Sequence, residues 1–274
     1  MKTAIITADD FGVSIEVNAA VEQAHREGVL TVTSLMVTGA GAADAVERAR
    51  RTPTLGVGLH VALAETPPAL PPAQIPDLVD AHGKFRIESL PVALKLVGLK
   101  SVRRQLEAEI EAQFALFEAT GLPLDHVNTH KHMHMHPVIA GVLLDVGLRH
   151  GMTAMRAPIE DRTTLAKFEP VRGIDIARPF AKLVQVAARK RGVKVPDRVF
   201  GLAWSGAMHA ERLRGVLAHL PDGVSEIYLH PATGPYPLSA PGYQYEAEFA
   251  ALLDSSARAI VAERGITLAR FADL

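Results

Sequence analysis

Short β-branched, apolar runs alternate with amphipathic helical segments along nearly the whole chain, and this alternation restricts the fold more than any other feature. Lys2 to Ala8 (KTAIITA) has the continuous apolar character of a parallel strand buried on both faces, and the loop DDFG follows it directly. Ser14 then caps a helix whose Val17, Ala20, Val21 and Ala24 recur at helical spacing until Gly28 stops it. Strands at Thr33 to Val37 and Leu55 to Val61 flank a helix over Ala42 to Arg51. Ser101 opens a long helix with Val102, Leu106, Ile110, Phe114 and Phe117 on one stripe, closed by Gly121. A short strand at Leu124 to Asn128 precedes a helix from Pro137 to about Arg149. Further strands are expected at Met152 to Arg156, Arg198 to Ala203, Ser225 to Leu229 and Ile266 to Ala269, with helices near 175–191, 209–219 and 246–264. Such alternation predicts an α/β fold in which helices cover a parallel sheet. Seven or eight units in 274 residues predict a (β/α) barrel, incomplete or distorted, in one domain over residues 1–274, since no linker or composition shift divides the chain.

Composition removes several classes of function. Lys and Arg total 29 against 30 Asp and Glu, so no bulk positive field is available to hold nucleic acid. The absence of cysteine excludes disulfide scaffolds, thiolate zinc sites and cysteine nucleophiles together. The apolar start of the chain is too short for a signal-peptide core, and Leu90 to Leu99 is broken by Pro91, Lys95 and Gly98, so no transmembrane segment is expected. The expected location is the cytoplasm. The tract Leu90 to Leu99 leaves room for peripheral contact with the inner membrane, or for an ordinary apolar outer helix of a barrel. The sequence does not set the oligomeric state, and a homodimer stays open.

What the chain has in excess is histidine, 12 in all, five of them between residues 126 and 136. In a parallel barrel the C-terminal ends of the strands converge on one face, where active sites lie. The predicted strands deliver Asp9 and Asp10, His60, His130 and its neighbours, Arg156 and His230 to that face. In an extended conformation His126, His130, His132, His134 and His136 would share one side, though not all could bind one ion. Each histidine alone is as well explained by packing, and Arg156 by a structural salt bridge, but the cluster beside two aspartates points to a metal site. Ser14 serves as the helix cap, which frees Asp9 and Asp10 for two roles, one as a ligand and one as a base. His25, His82, His150, His209 and His219 fall on helices or loops with no evident partner. Two proline-rich loops, Glu65 to Lys84 and Pro231 to Tyr245, follow strand ends that carry a histidine, and the second holds three tyrosines. No nucleophile elbow, P-loop, H-E-x-x-H or dinucleotide fingerprint is present. A His/Asp centre with an acid and a base nearby suits metal-assisted hydrolysis.

The segments ITADDFGVS, VGLHVAL and NTHKHMHMHP, with LHPA at 229–232, resemble the signatures of the YdjC-like carbohydrate deacetylases over nearly the whole chain. GVLTVTSLMVTG, LPPAQIPDLVDAHGKFR and RRQLEAEIEAQFALFEATGLPLDHVNTHKHMHMHP are similar to its hopanoid-biosynthesis-associated branch (HpnK). The resemblance implies a deacetylase-type barrel and one divalent ion, Mg2+ or Zn2+, on Asp10, His60 and His130. It further implies Asp9 as general base, His230 as acid or oxyanion partner, and His132, His134, Arg156 and Asn128 next to the metal or the substrate. Many relatives carry Asp where this chain has Asn128, which puts the role of that position in question. The implied substrate is an N-acetylated sugar or glycolipid, in the branch an N-acetylglucosaminyl bacteriohopanepolyol. The competing expectations are a phosphoesterase on the same scaffold, which would want more basic residues than Arg156 and Lys131, and a sugar- or metal-binding protein without turnover.

Overall fold

A computed structural model describes residues 1–87 and 90–274. The described residues form seven parallel strands, β1 (Lys2–Phe11), β2 (Val32–Leu35), β3 (Gly56–Val61), β4 (Val127–Thr129), β5 (Arg198–Phe200), β6 (Gly223–Leu229) and β7 (Ile266–Leu268). Their hydrogen-bonded order is β4-β3-β2-β1-β6-β5, and β7 pairs with the first residues of β1. The helices are α1 (Ile15–Glu27), α2 (Ala42–Arg51), α3 (Leu90–Gly98), α4 (Lys100–Ala119), α5 (Pro137–Arg149), the single turn α6 (Arg162–Leu165), α7 (Arg178–Lys190), α8 (Ala210–Ala218), α9 (Tyr245–Leu253) and α10 (Ser255–Glu263). The sheet curls into an incomplete, distorted parallel barrel, as the alternation predicted.

Local chemistry accounts for the element boundaries. Ser14 caps α1 by accepting from the Val17 amide, and the Gly28 amide closes the helix on the Ala24 carbonyl. The α4 stripe Val102, Leu106, Ile110, Phe114 and Phe117 is buried, each side chain contributing about 1.5–3 kcal/mol of transfer free energy. The helix expected over 246–264 is instead two, because Asp254 leaves helical geometry and its side chain caps α10 by accepting from Ser256. The strand expected at Met152 to Arg156 is reduced to isolated bridges, Val127 with Met155 and Ala154 with Lys194. Pro158 cannot donate to a ladder, and beyond it only the Ile159 carbonyl reaches β5, accepting from Val199 at 2.8 Å. This irregular segment fills the gap between β4 and β5.

Register carries the functional residues to one face. Pairing of β1 with β6 runs from Lys2 opposite Gly223 to Ala8 opposite Leu229, so Asp9 and His230 emerge side by side. In the β3–β4 ladder His60 lies directly opposite Asn128. α3 buries Val92 and Leu96 but leaves Leu94 and Val97 exposed, so the tract Leu90 to Leu99 is half outer helix and half open surface. No described helix is long and apolar enough to cross a membrane.

Candidate active site

Adjacent side chains on a regular strand point to opposite faces, yet Asp9 and Asp10 both line one pocket. A bulge in β1 makes this possible. Its pairing with β2 holds to Ala8 opposite Thr33 and resumes at Phe11 opposite Leu35, and Asp10 between them has φ +66°. Aspartate tolerates the left-handed region better than most residues. The following Gly12, at φ +91°, admits no side chain, since a Cβ there would meet the Met36 carbonyl at 2.9 Å. The DDFG loop is therefore a turn built to present two carboxylates.

Asp10, His60 and His130 offer three ligand atoms within 4.8 Å of one another. Asn128 Nδ2 donates to Asp9 Oδ1 at 3.1 Å and to Ser34 Oγ at 3.2 Å, which turns its Oδ1 toward His60 Nδ1 at 2.6 Å. An amide oxygen only accepts, so Nδ1 of His60 carries a proton and donates to it, which leaves Nε2 as the ring nitrogen turned toward Asp10. That Nε2 is buried, lacks a hydrogen bond, and lies 3.2 Å from Asp10 Oδ1. His130 Nδ1 converges on the same carboxylate oxygen, so two imidazoles and one carboxylate face a single point. The donor set, with its oriented imidazole, fits a divalent ion. His130 completes the set with Nδ1 at 3.0 Å from Asp10 Oδ1, while its Nε2 meets Glu65 Oε2 at 2.8 Å. Burial disfavours the charged ring, but Asp10 and Glu65 outweigh it and raise His130 to about 10.

Asp9 is held in a different way. Arg156 grips it at 2.6 and 3.0 Å, and Ser34 Oγ donates to it at 2.8 Å. The guanidinium is fully buried, also binds Glu226 at 2.7 Å, and lies 4.5 Å from the centre of the Tyr228 ring. Burial would raise the Asp9 carboxyl, but Arg156 overrides it and holds the group well below the usual carboxylate range. Asp9 is thus held as an oriented carboxylate, while the neighbouring Asp10 faces the imidazoles.

The histidine cluster separates rather than sharing one side. β4 ends at Thr129, and Lys131 and His132 take φ +53° and +52°, so the extended geometry assumed for residues 126–136 is broken by a tight turn. His126 stacks on Phe271 at the opposite end of β4, and the ring of His136 accepts from Val138 as the cap of α5. His134 is buried against Thr129 Oγ1 at 2.6 Å and does not line the pocket. His132 does line it, with Nε2 3.0 Å from the Tyr228 hydroxyl. His230 also reaches it, its backbone amide bonded to Glu248 and its Nδ1 buried without a hydrogen bond, 3.8 Å from Glu248 Oε2. Away from the pocket, His25, His150 and His219 do have partners, contrary to expectation: Leu30 and Thr54, Glu118 and Glu111, and the Gly215 carbonyl, respectively.

Sequence reasoning missed Ser34, Glu65, Glu226 and the wall of Tyr236, Tyr243 and Tyr245. Ser34 fell second in the strand predicted over Thr33 to Val37, whereas the observed strand ends at Leu35 and so sets Ser34 near its C-terminal end, and the tyrosines belonged to a long proline-rich loop. Glu226 in GVSEIYL gives no sign that it points inward.

A family model described as YdjC-like protein matches residues 3–263. A carbohydrate deacetylase of Brevibacillus brevis is 40% identical over 140 residues, 51% of this chain and 53% of that one, so this match spans about half of each. A chitooligosaccharide deacetylase of Proteus mirabilis is 29% identical over 283 residues, covering 98% of both chains. Among solved structures, a protein from Enterococcus faecalis V583, provisionally described as a cellobiose-phosphate cleavage protein, superposes with a TM-score of 0.78 at 28% identity, over 99% of this chain and 98% of that one.

Proposed function

The chain belongs to the YdjC-like family, and from that membership and the donor set of its pocket we propose that it hydrolyses the N-acetyl group of an amino sugar with the help of a divalent ion. The observation that carries this reading is the convergence of Asp10, His60 and His130, with the buried His60 Nε2 set 3.2 Å from a carboxylate oxygen of Asp10. A divalent ion held by Asp10, His60 and His130 would supply Lewis acidity to the acetamide carbonyl and acidity to a water. One carboxylate with two imidazoles suits zinc or a similar borderline ion better than magnesium, which prefers oxygen ligands.

Asp9 is the base in this reading. Its Oδ1 accepts three hydrogen bonds and its Oδ2 one, from Arg156, so Oδ2 keeps capacity to accept a proton from water. Arg156 keeps Asp9 ionised, so the proton taken up as water adds to the carbonyl carbon is passed on readily. His230 gives a proton to the sugar nitrogen as the C–N bond breaks, leaving acetate and a free amine. Tyr236, Tyr243 and Tyr245 provide faces on which a sugar ring can stack. The branch resemblance extends the substrate to N-acetylglucosamine carried on a bacteriohopanepolyol, handled at the cytoplasmic side of the inner membrane.

A phosphoesterase fits less well. Lys131 is the only Lys or Arg among the described residues lining the pocket, and it pairs with Glu65 at 2.5 Å. Acetate release from N,N′-diacetylchitobiose by metal-loaded protein tests the reading. Asp9→Asn is expected to lower the rate by roughly 10²–10⁴-fold with the metal retained. No release from that sugar or a GlcNAc-lipid by wild-type protein would leave a binding protein as the better account.

A further inference from the structure

The segment around α7 turns its larger apolar side chains outward. α7 buries Ala181, Val184 and Ala188, whereas Phe180, Leu183 and Val186 are 49%, 61% and 50% exposed. Just before the helix, Ile174 and Ile176 are 88% and 78% exposed. A helix on a globular protein normally sets its bulkiest apolar residues against the core, so this inverted arrangement marks a surface that meets something apolar.

Cations frame the patch. Arg189 and Arg191 are paired, with Asp197 at 3.0 Å and Asp145 at 2.7 Å. Arg172, Arg178, Lys182 and Lys190 make no ion pair among the described residues. The only acid in residues 172–190 is Asp175, which lies 3.8 Å from Arg162. In a chain of formal net charge −1, this is a local positive field around an apolar strip. The strip also runs toward the catalytic pocket. Ile174, Ile176 and Ala177 line a groove with His132, Ser205 and Tyr228, and His132 and Ser205 are walls of the pocket that holds Asp9 and Asp10.

We propose that α7 and the segment before it dock on an anionic lipid bilayer, which sets the mouth of the pocket beside the membrane surface. The inference rests on the glycolipid reading of the substrate given above. Phe180, Leu183, Val186 and the two isoleucines enter the boundary between headgroups and acyl chains, and the unpaired cations meet lipid phosphates. A second copy of the chain is a poorer occupant, because a two-fold contact through this face would bring the same cations together. A small soluble ligand is poorer still, since Phe180, Leu183 and Val186 stand on the convex outer face of a helix, outside the groove.

The test is co-sedimentation of the full chain with extruded vesicles of phosphatidylcholine alone and of mixed phosphatidylcholine and phosphatidylglycerol. The protein is expected to pellet with the mixed vesicles and to be released by salt. The double variant Phe180→Glu with Leu183→Glu should bind them roughly tenfold more weakly or worse. Both positions are exposed and outside the pocket, so turnover of soluble N,N′-diacetylchitobiose should be unchanged in that variant, which also verifies its fold. Absence of pelleting with the mixed vesicles, or equal pelleting of wild type and variant, overturns the proposal. So does a wild-type dimer in sedimentation velocity that the variant splits. Vesicle binding and acetate release are read separately, so loss of one does not imply loss of the other.

Discussion

The two ends of the barrel hold the same residue types in different arrangements. At the N-terminal end of β4, Asp125 Oδ2 meets His126 Nδ1 at 2.9 Å, the ring stacks on Phe271 with centroids 4.2 Å apart, and Asp125 Oδ1 accepts from Ala272 at 3.1 Å. At the C-terminal end, Asp10 meets imidazoles from two other segments, with the Asn128 amide fixing one ring. Both His126 and His60 leave Nε2 buried and unbonded. What differs is the surroundings of that nitrogen. His126 has a ring against its face and one carboxylate already spent on Nδ1. His60 has a second imidazole and a carboxylate converging on its Nε2, the only such trio among the described residues. Burial of a histidine beside an aspartate is therefore a packing device until a third donor from another strand arrives.

Exchange of single residues should separate the two ends most sharply. His60→Ala or Asp10→Ala is expected to abolish bound metal and lower acetate release by on the order of a thousandfold or more, read by metal analysis and product assay. His126→Ala should keep the metal and the chemistry while losing about 2–4 kcal/mol of stability to urea, because it leaves a cavity beside Phe271 and removes the partner of Asp125 Oδ2. Metal loss in His126→Ala would remove the distinction.

Next in size is Arg156→Met, which strips two buried carboxylates, Asp9 and Glu226, of their shared cation. A cost of about 3–5 kcal/mol is expected in denaturant unfolding. A companion change of Glu226 to Gln should recover part of it by removing one of the stranded charges. Asn128→Ala should lower metal affinity by roughly 10–100-fold in isothermal titration, since it releases the His60 ring. Unchanged affinity would show that the ring needs no such support.

The smallest effect belongs to His150, outside both ends. It sits between Glu118 at 2.6 Å and Glu111 at 2.8 Å. Although desolvation lowers its pKa, the two glutamates outweigh it and raise the group above its ordinary 6.5. Its contribution is fully present below about pH 6.5 and is lost as pH rises through the folded-state value. His150→Gln should therefore cost a few tenths of a kcal/mol, about the worth of an exposed pair, at pH 6 and less at pH 9. A larger penalty at pH 9 would reverse the sign.

Much of this arrangement is legible in the sequence because strand ends in a parallel barrel point one way. That rule predicts that Asp9, Asp10, His60, His130 and His230 reach one pocket, although the presence of both aspartates there also needs the bulge in β1. The turn at Lys131 and His132 was not legible, since neither residue is a glycine and nothing local announces a left-handed backbone. The bulge at Asp10 was hidden for the same reason. Glu226 carries no local mark of its role, which rests on Arg156, 70 residues away in the chain, and on Thr7 in β1. Asn128, whose role the resemblance left in question, joins Asp9, Ser34 and His60. Glu65 lies in a proline-rich loop whose path across the pocket has no periodicity to reveal it.

The most direct measurement is acetate released from N,N′-diacetylchitobiose by the purified chain, before and after chelation and again after one equivalent of zinc is restored. The account predicts release that chelation abolishes and zinc restores in wild type, with no restoration in His60→Ala. Release that persists at full rate through chelation, or that zinc restores equally in His60→Ala, would contradict it.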